Sequence, residues 1–232
     1  MKKIVSAFVF VCFALIATAQ VGDTTSTKTV KKLTKFPKDR IAIDLNGTNW
    51  YHKIPDFKSK WYGRGISAYF YYDFRIKKSR FSIAPGIGVS HSNIYNNMEL
   101  IDSGGVAQFN KISDYSTDKY KVNKVSLTYI DIPIEFRIRS NKDRLDNFWK
   151  FAVGFKAGIR VDAFTKQKTT NPNKTVILRP YPDFNLFHAG PTFRIGYSSF
   201  NITGYWGVLG VFKSGKGPEA YPFSLGISFN GL

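Results

Sequence analysis

The sequence predicts an all-β protein: an up-and-down antiparallel transmembrane β-barrel of about eight strands. Three observations predict it. Apolar residues recur at every second position in about eight segments after Arg40, the period of a strand with two unlike faces. The connections between segments alternate between short and long, the pattern of a barrel with tight turns on one side and long loops on the other. The face opposite the apolar one carries Gly, Ala and Ser mixed with charges of both signs, which suits a narrow lumen where side chains compete for volume.

Residues 1–19 read as a secretory signal peptide. Lys2 and Lys3 are basic, Ile4 to Ala17 are apolar, and Ala17-Thr18-Ala19 forms a small-x-small cleavage site before Gln20. Cys12, the chain's single cysteine, lies inside this segment, so the mature chain is expected to hold no disulfide and no thiolate metal site. Residues 20–39 carry Lys28, Lys31, Lys32, Lys35 and Lys38 with little to bury, and read as a flexible basic leader. Residues 40–232 form the barrel domain. The formal charge is +18. In a secreted chain that excess points away from nucleic acid, and either to acidic lipid headgroups or a polyanionic surface or simply to charge that keeps the loops solvated.

The strand segments run approximately 40–51, 65–76, 80–95, 124–139, 148–164, 185–197, 200–212 and 221–231, each near the length that crosses a bilayer when tilted. The tight connections are 77–80, 141–147 and 197–200; the longer ones are 52–64, 96–123, 165–184 and 213–220. The stretch "SLTYIDIPIEFRIRS" (126–140) shows the two faces best. Ile130, Ile132, Ile134 and Phe136 alternate with Asp131, Glu135, Arg137 and Arg139. Phe151 and Phe155 alternate with Lys150, Lys156, Arg160 and Asp162, and Phe223, Leu225 and Ile227 alternate with Ser and Gly. A lipocalin-like barrel would turn the apolar face inward; a membrane barrel turns it outward to lipid. The small residues on the polar face favour the membrane barrel. The apolar set named here is therefore expected to face lipid. Asp44, Asp73, Arg75, Asp131, Glu135, Arg137, Arg139, Lys150, Lys156, Arg160, Asp162 and Arg194 are expected to form a self-neutralising network in the lumen, where an unpaired charge would be expensive.

Aromatic placement agrees. Phe81, Trp149, Tyr197 and Phe200 fall beside the short turns, and Trp50, Tyr51, Trp61, Tyr62, Trp206 and Tyr221 near the long loops, as two girdles bracketing an apolar band. Pro85, Pro133 and Pro191 fall inside strands and cannot donate to the ladder. The apolar parity also changes between Leu127 and Ile130, and a bulge near Thr128 or Tyr129 would restore it.

The segment "SLTYIDIPIEFRIRS", followed by a turn and "WKFAVGFKAGIRVD", resembles the PorT-like outer-membrane β-barrel family of Bacteroidota, as do "GISAYFYYDF" and "FSIAPGIGVS". The resemblance covers the chain from about Arg40 onward. It implies an eight-stranded barrel and a part in surface-protein export through a type IX system, with gliding in some relatives. It carries over no catalytic residue. An aromatic last residue is usual in such barrels, whereas here Phe229 is followed by Asn230, Gly231 and Leu232.

His52, His91 and His188 make no metal-ligand spacing, and no metal or cofactor is expected. Gly86-Ile87-Gly88 lies in a strand without a following helix, so it is not a phosphate loop. His91, Ser92 and Glu99 could serve a lipid hydrolase, and Asp73, Asp131 and Glu135 an acid pair; a histidine bonded at the rim and a lumen network are the better readings. The leading expectation is a non-enzymatic barrel integral to the outer membrane with both termini periplasmic. It would be an accessory subunit beside outer-membrane or periplasmic proteins of a secretion or assembly complex. The alternatives are a surface barrel binding an external ligand through loops 96–123 and 165–184, and a lipid-modifying enzyme.

Overall fold

The structure is a computed structural model that describes residues 40–231 except 53, 61–62, 77–78, 113–118, 141–147 and 179–182. The signal-peptide and leader expectations, and Trp61 and Tyr62, lie outside the described residues. The described residues form strands and no helix.

In chain order the strands are β1 (Ile41–His52), β2 (Arg64–Tyr71), β3 (Phe74–Arg75), β4 (Phe81–Tyr95), β5 (Met98–Asp102), β6 (Ala107–Lys111), β7 (Tyr120–Arg139), β8 (Trp149–Thr169), β9 (Thr175–Leu178), β10 (Phe187–Tyr197), β11 (Phe200–Trp206) and β12 (Ala220–Gly231). Antiparallel pairing runs β1-β2-β4-β7-β8-β10-β11-β12. It closes where β12 meets β1, from Ile41 opposite Gly231 to His52 opposite Ala220. Eight strands therefore form a closed ring with no free edge in it, the architecture the alternation predicts.

The three prolines sit where a missing donor does least harm. Tyr72 donates to the Pro85 carbonyl at 2.9 Å, but Pro85 cannot return a bond, and the strand opposite is interrupted there into β2 and β3. Both halves keep one register against β4. Pairing of β4 with β7 lapses between Pro85 and Gly88, opposite Pro133. Pairing of β10 with β11 begins at Thr192, one residue past Pro191.

The predicted bulge is displaced. Register does shift between Thr128 and Tyr129 in the pairing of β7 with β8, but the extra residue is Val161 on β8, since Thr128 faces Asp162 and Tyr129 faces Arg160. β7 itself runs without a shift against β4. Its inward residues stay at odd positions throughout: Val125, Leu127 and Tyr129 are buried, and so are Asp131, Glu135 and Arg137. What changes along β7 is the chemistry of the interior, polar toward the short turns and apolar toward the long loops.

That apolar interior is a core of its own. Trp50, Ile54, Phe57, Ile94, Met98, Leu100, Val125, Leu127, Phe184, Val211 and Phe212 are among the buried residues that cluster at the long-loop end. The β5–β6 hairpin supplies Met98, Leu100 and Ala107 to it. Gly104 and Gly105, with φ of +63° and +77°, make its turn, a backbone region that costs glycine little. The hairpin is tied down by Ala107 N–H to the Lys216 carbonyl, 3.0 Å, and by buried Asn123, which donates to the Met98 carbonyl at 2.7 Å. Further along, β9 pairs with the upper part of β8. Trp50, expected in an aromatic girdle, is instead 3% exposed and faces inward, its ring 5.9 Å from Phe57. Tyr51 and Trp206 do lie outside, 6.3 Å apart, and Trp149 and Tyr197 pair at 5.4 Å beside the short turns.

Candidate functional site

The polar half of the lumen is assembled from strands far apart in sequence. Inward-facing Tyr69 and Tyr71 on β2 lean across Gly88 and Gly86 of β4. A Cβ on Gly86 would come within 2.8 Å of the Tyr71 ring. The glycines thus open the space through which both tyrosines reach β7. Tyr69 donates to Asp131 Oδ2 at 2.9 Å, and Tyr71 to Glu135 Oε1 at 2.8 Å.

Two charge clusters share this interior. In the first, Arg194 of β10 donates to both carboxylate oxygens of Asp44 on β1, at 3.0 and 3.2 Å, a bidentate geometry that strengthens such a pair. Its Nε is 3.4 Å from Glu135 Oε1, and Nη1 also donates to Ser228. Arg137 donates from Nε to Glu135 Oε2 at 2.8 Å and lies 4.4 Å over the Tyr71 ring. Arg139 joins through Asp73 and through Ser82 Oγ at 2.7 Å. In the second cluster, Asp131 takes Lys156 at 3.3 Å and His188 Nε2 at 2.6 Å. Tyr205 lies 3.2 Å from His188 Nδ1, and Tyr129 stacks on the imidazole at 4.0 Å. Gly158 is required here, because a Cβ would press on both Asp131 and His188.

Of the expected network, Asp44, Asp73, Asp131, Glu135, Arg137, Arg139, Lys156 and Arg194 are brought together, and Lys150 is fully buried in the same interior. Three expectations are corrected. Arg75 is exposed at the strand end, where its Nε donates to the Ser79 carbonyl at 3.2 Å. Arg160 meets no carboxylate of the network; it donates to the carbonyls of Asn185 and Phe184 at 3.0 and 3.2 Å, clipping the loop before β10. Asp162 follows the extra residue Val161, which turns it from the inner to the outer side of β8. The sequence reading missed His188, Tyr69, Tyr71, Tyr205 and Ser228. Their parity put them inside, and a polar hydroxyl or imidazole at an inward position was the available signal.

The outer wall is apolar. Ile130, Ile132, Ile134, Phe136, Phe151, Phe155, Leu225 and Ile227 are 39–59% exposed. Phe223 is partly covered, stacked on Trp206 at 5.7 Å. So contiguous an exposed apolar surface would be a liability in water.

Among the described residues the lumen is filled by side chains. The polar lumen leaves a cavity of about 20 Å³ between Asp44, Tyr71, Glu135, Lys156 and Arg194, room for about one water. Beyond it the apolar core closes the long-loop end. The imagined hydrolytic residues do not converge. His91 and Ser92 are consecutive in β4 and point to opposite faces, and His91 Nδ1 pairs with Thr128 Oγ1 at 2.9 Å. Among the described residues no group of His, Cys, Asp and Glu is placed to hold a metal ion.

A closed ring of eight strands with a charged interior and an apolar exterior defines a membrane-spanning β-barrel. Residues 46–213 match the family described as outer membrane protein beta-barrel domain, and the chain belongs to that family. No curated protein and no solved structure matches it.

Proposed function

We propose that this outer-membrane barrel is a non-conducting, non-enzymatic accessory subunit of a larger outer-membrane assembly. The resemblance to PorT-like barrels makes a type IX-like secretion or assembly complex its setting. The observation that carries this reading is the filled interior. A lumen filled by buried charge clusters and tyrosines below an apolar core leaves no room for a protein to pass. What is left to act is the outer wall, the loop end and the leader. In this reading the apolar wall faces lipid, the short turns and both termini lie in the periplasm, and the signal peptide ends at Ala19. Solubilisation in mild detergent followed by affinity recovery tests it. Co-recovery of defined outer-membrane or periplasmic proteins is the expected result, and repeated recovery of the monomer alone would overturn it.

A second reading, a surface barrel that binds an external ligand, is favoured by the packed cap. A loop region built around Trp50, Phe57 and Phe212, with the β5–β6 hairpin fixed on it, is a rigid platform of the kind that carries recognition residues. Deleting 97–112 with the barrel still folded separates the two: loss of an external activity with complex recovery intact favours the platform.

A further inference from the structure

We infer that the outer wall of β2, β4, β7 and β8, just beyond the apolar band at the long-loop end, binds the phosphate headgroup of a membrane lipid. The register brings the groups together. Arg64 of β2 lies opposite Asn93 of β4, and Asn93 opposite Ser126 of β7. One step further from the band, Lys124 faces Lys166 directly across the β7–β8 pair. Two like charges in that position repel, and the pair is destabilising unless an anion intervenes.

The Lys124 side chain turns back toward the band. Its ammonium donates to Asn93 Oδ1 at 2.7 Å, and the Ser126 hydroxyl donates to the same oxygen at 2.7 Å. The ammonium thus shares a rung with Arg64. Among the described residues Arg64, Lys124, Lys166 and Lys168 make no ion pair with a carboxylate, in contrast to the lumen cations of Asp44, Asp131 and Glu135. Two aromatic rings flank the site: Tyr95 and Phe164 lie 5.8 and 5.9 Å from the Lys124 ammonium.

Depth selects the ligand. Directly below the rung, Thr128 on the outer face of β7 is flanked by His91 of β4 and Asp162 of β8, the one carboxylate beside the site among the described residues; Ile130, Ile132 and Ile134 follow, with Val89 and Ile159 beside Ile130. Four residues of tilted strand separate Ser126 from Ile130, a rise of about 10 Å along the barrel axis. Arg and Lys held at that height sit in the headgroup layer, where an anionic lipid attracts each by an appreciable amount. Acyl chains of the same molecule would lie on the apolar residues beneath. A soluble anion would gain the charge and nothing from that wall. The ligand class is therefore a lipid with a phosphate headgroup, in the outer leaflet if the barrel has the orientation proposed above.

The test uses the mature chain folded in zwitterionic detergent, with equal amounts of phosphatidic acid and phosphatidylcholine of one chain length, read by native mass spectrometry. The parent is expected to retain phosphatidic acid preferentially. The variant R64Q/K124Q/K166Q is expected to lose about five-fold in that preference for each cation removed. K124R/K166R, which keeps the charge, is expected to retain it. All variants are checked for folding by gel mobility before and after boiling. No preference in the parent, or an unchanged preference in the glutamine variant, overturns the site. Orientation is read separately, by labelling Q108C on intact cells with a membrane-impermeant thiol reagent. A barrel that prefers phosphatidic acid yet does not label keeps the headgroup site and overturns the orientation.

Discussion

Replacing Arg194 by leucine removes the cation that joins β1, β7 and β12 to β10 across the lumen. Its loss does not affect all partners equally. Glu135 keeps Arg137 at 2.8 Å and Tyr71 at 2.8 Å. Asp44, 4% exposed, has Arg194 as its hydrogen-bond partner through both carboxylate oxygens. The substitution therefore strands one buried carboxylate. Breaking a buried pair from one side costs about 3–5 kcal/mol. The companion substitution Asp44→Leu leaves Arg194 with Glu135, Ser228 and Asn230, so it should cost less, about 2 kcal/mol. In the double variant no carboxylate is stranded, and the cost should fall well below the sum, with a coupling of about 2 kcal/mol. Urea titration of the barrel in micelles measures it, followed by tryptophan fluorescence and by the mobility of the unboiled protein. A cost under about 1 kcal/mol for Arg194→Leu, or strict additivity of the two changes, would mean that the lumen is wet enough to solvate its charges, and would refute the reasoning.

Three further outcomes are expected. Phe155→Arg, on the outer wall at mid-height, should cost about 2–4 kcal/mol in vesicles, whereas Ile177→Arg near the loop end should cost at most about 1 kcal/mol; equal costs, or labelling of position 155 by a water-soluble probe, would show that this wall does not face lipid. Phe212→Ala removes the ring that contacts Trp50, Phe109 and Phe184 and should weaken the cap by about 3–5 kcal/mol. It should show as faster tryptic cleavage at Lys111 while the barrel keeps its unboiled mobility; parental cleavage rates would show that the hairpin is held without this core. Replacing Lys28, Lys31, Lys32, Lys35 and Lys38 together by glutamine should lower recovery of partner proteins at low salt and change little at 1 M, where the Debye length is about 3 Å. Unchanged recovery at low salt would leave the leader a spacer.

By itself the sequence determined the strand period, the alternation of short and long connections and the closed eight-stranded ring that follows from them. These are local properties, because a period of two and a turn need only their own residues. It also placed Asp44, Asp131, Glu135 and Arg194 on inward positions, since parity assigns a face as soon as one face is known. Tertiary structure decided the rest. Asp44 and Arg194 are 150 residues apart, and nothing short of barrel closure says that they meet. Val161 shifts the register on β8, so Asp162 leaves the interior although the alternation continues in the sequence. Trp50, Leu127 and Phe212 read as girdle, irregularity and strand, yet they build the core of the loop end. The physical reason is that alternation reports only that two faces differ. What each face carries changes along the barrel axis, from an apolar wall around a polar lumen to a polar exterior around an apolar core, and that change is written in no single strand.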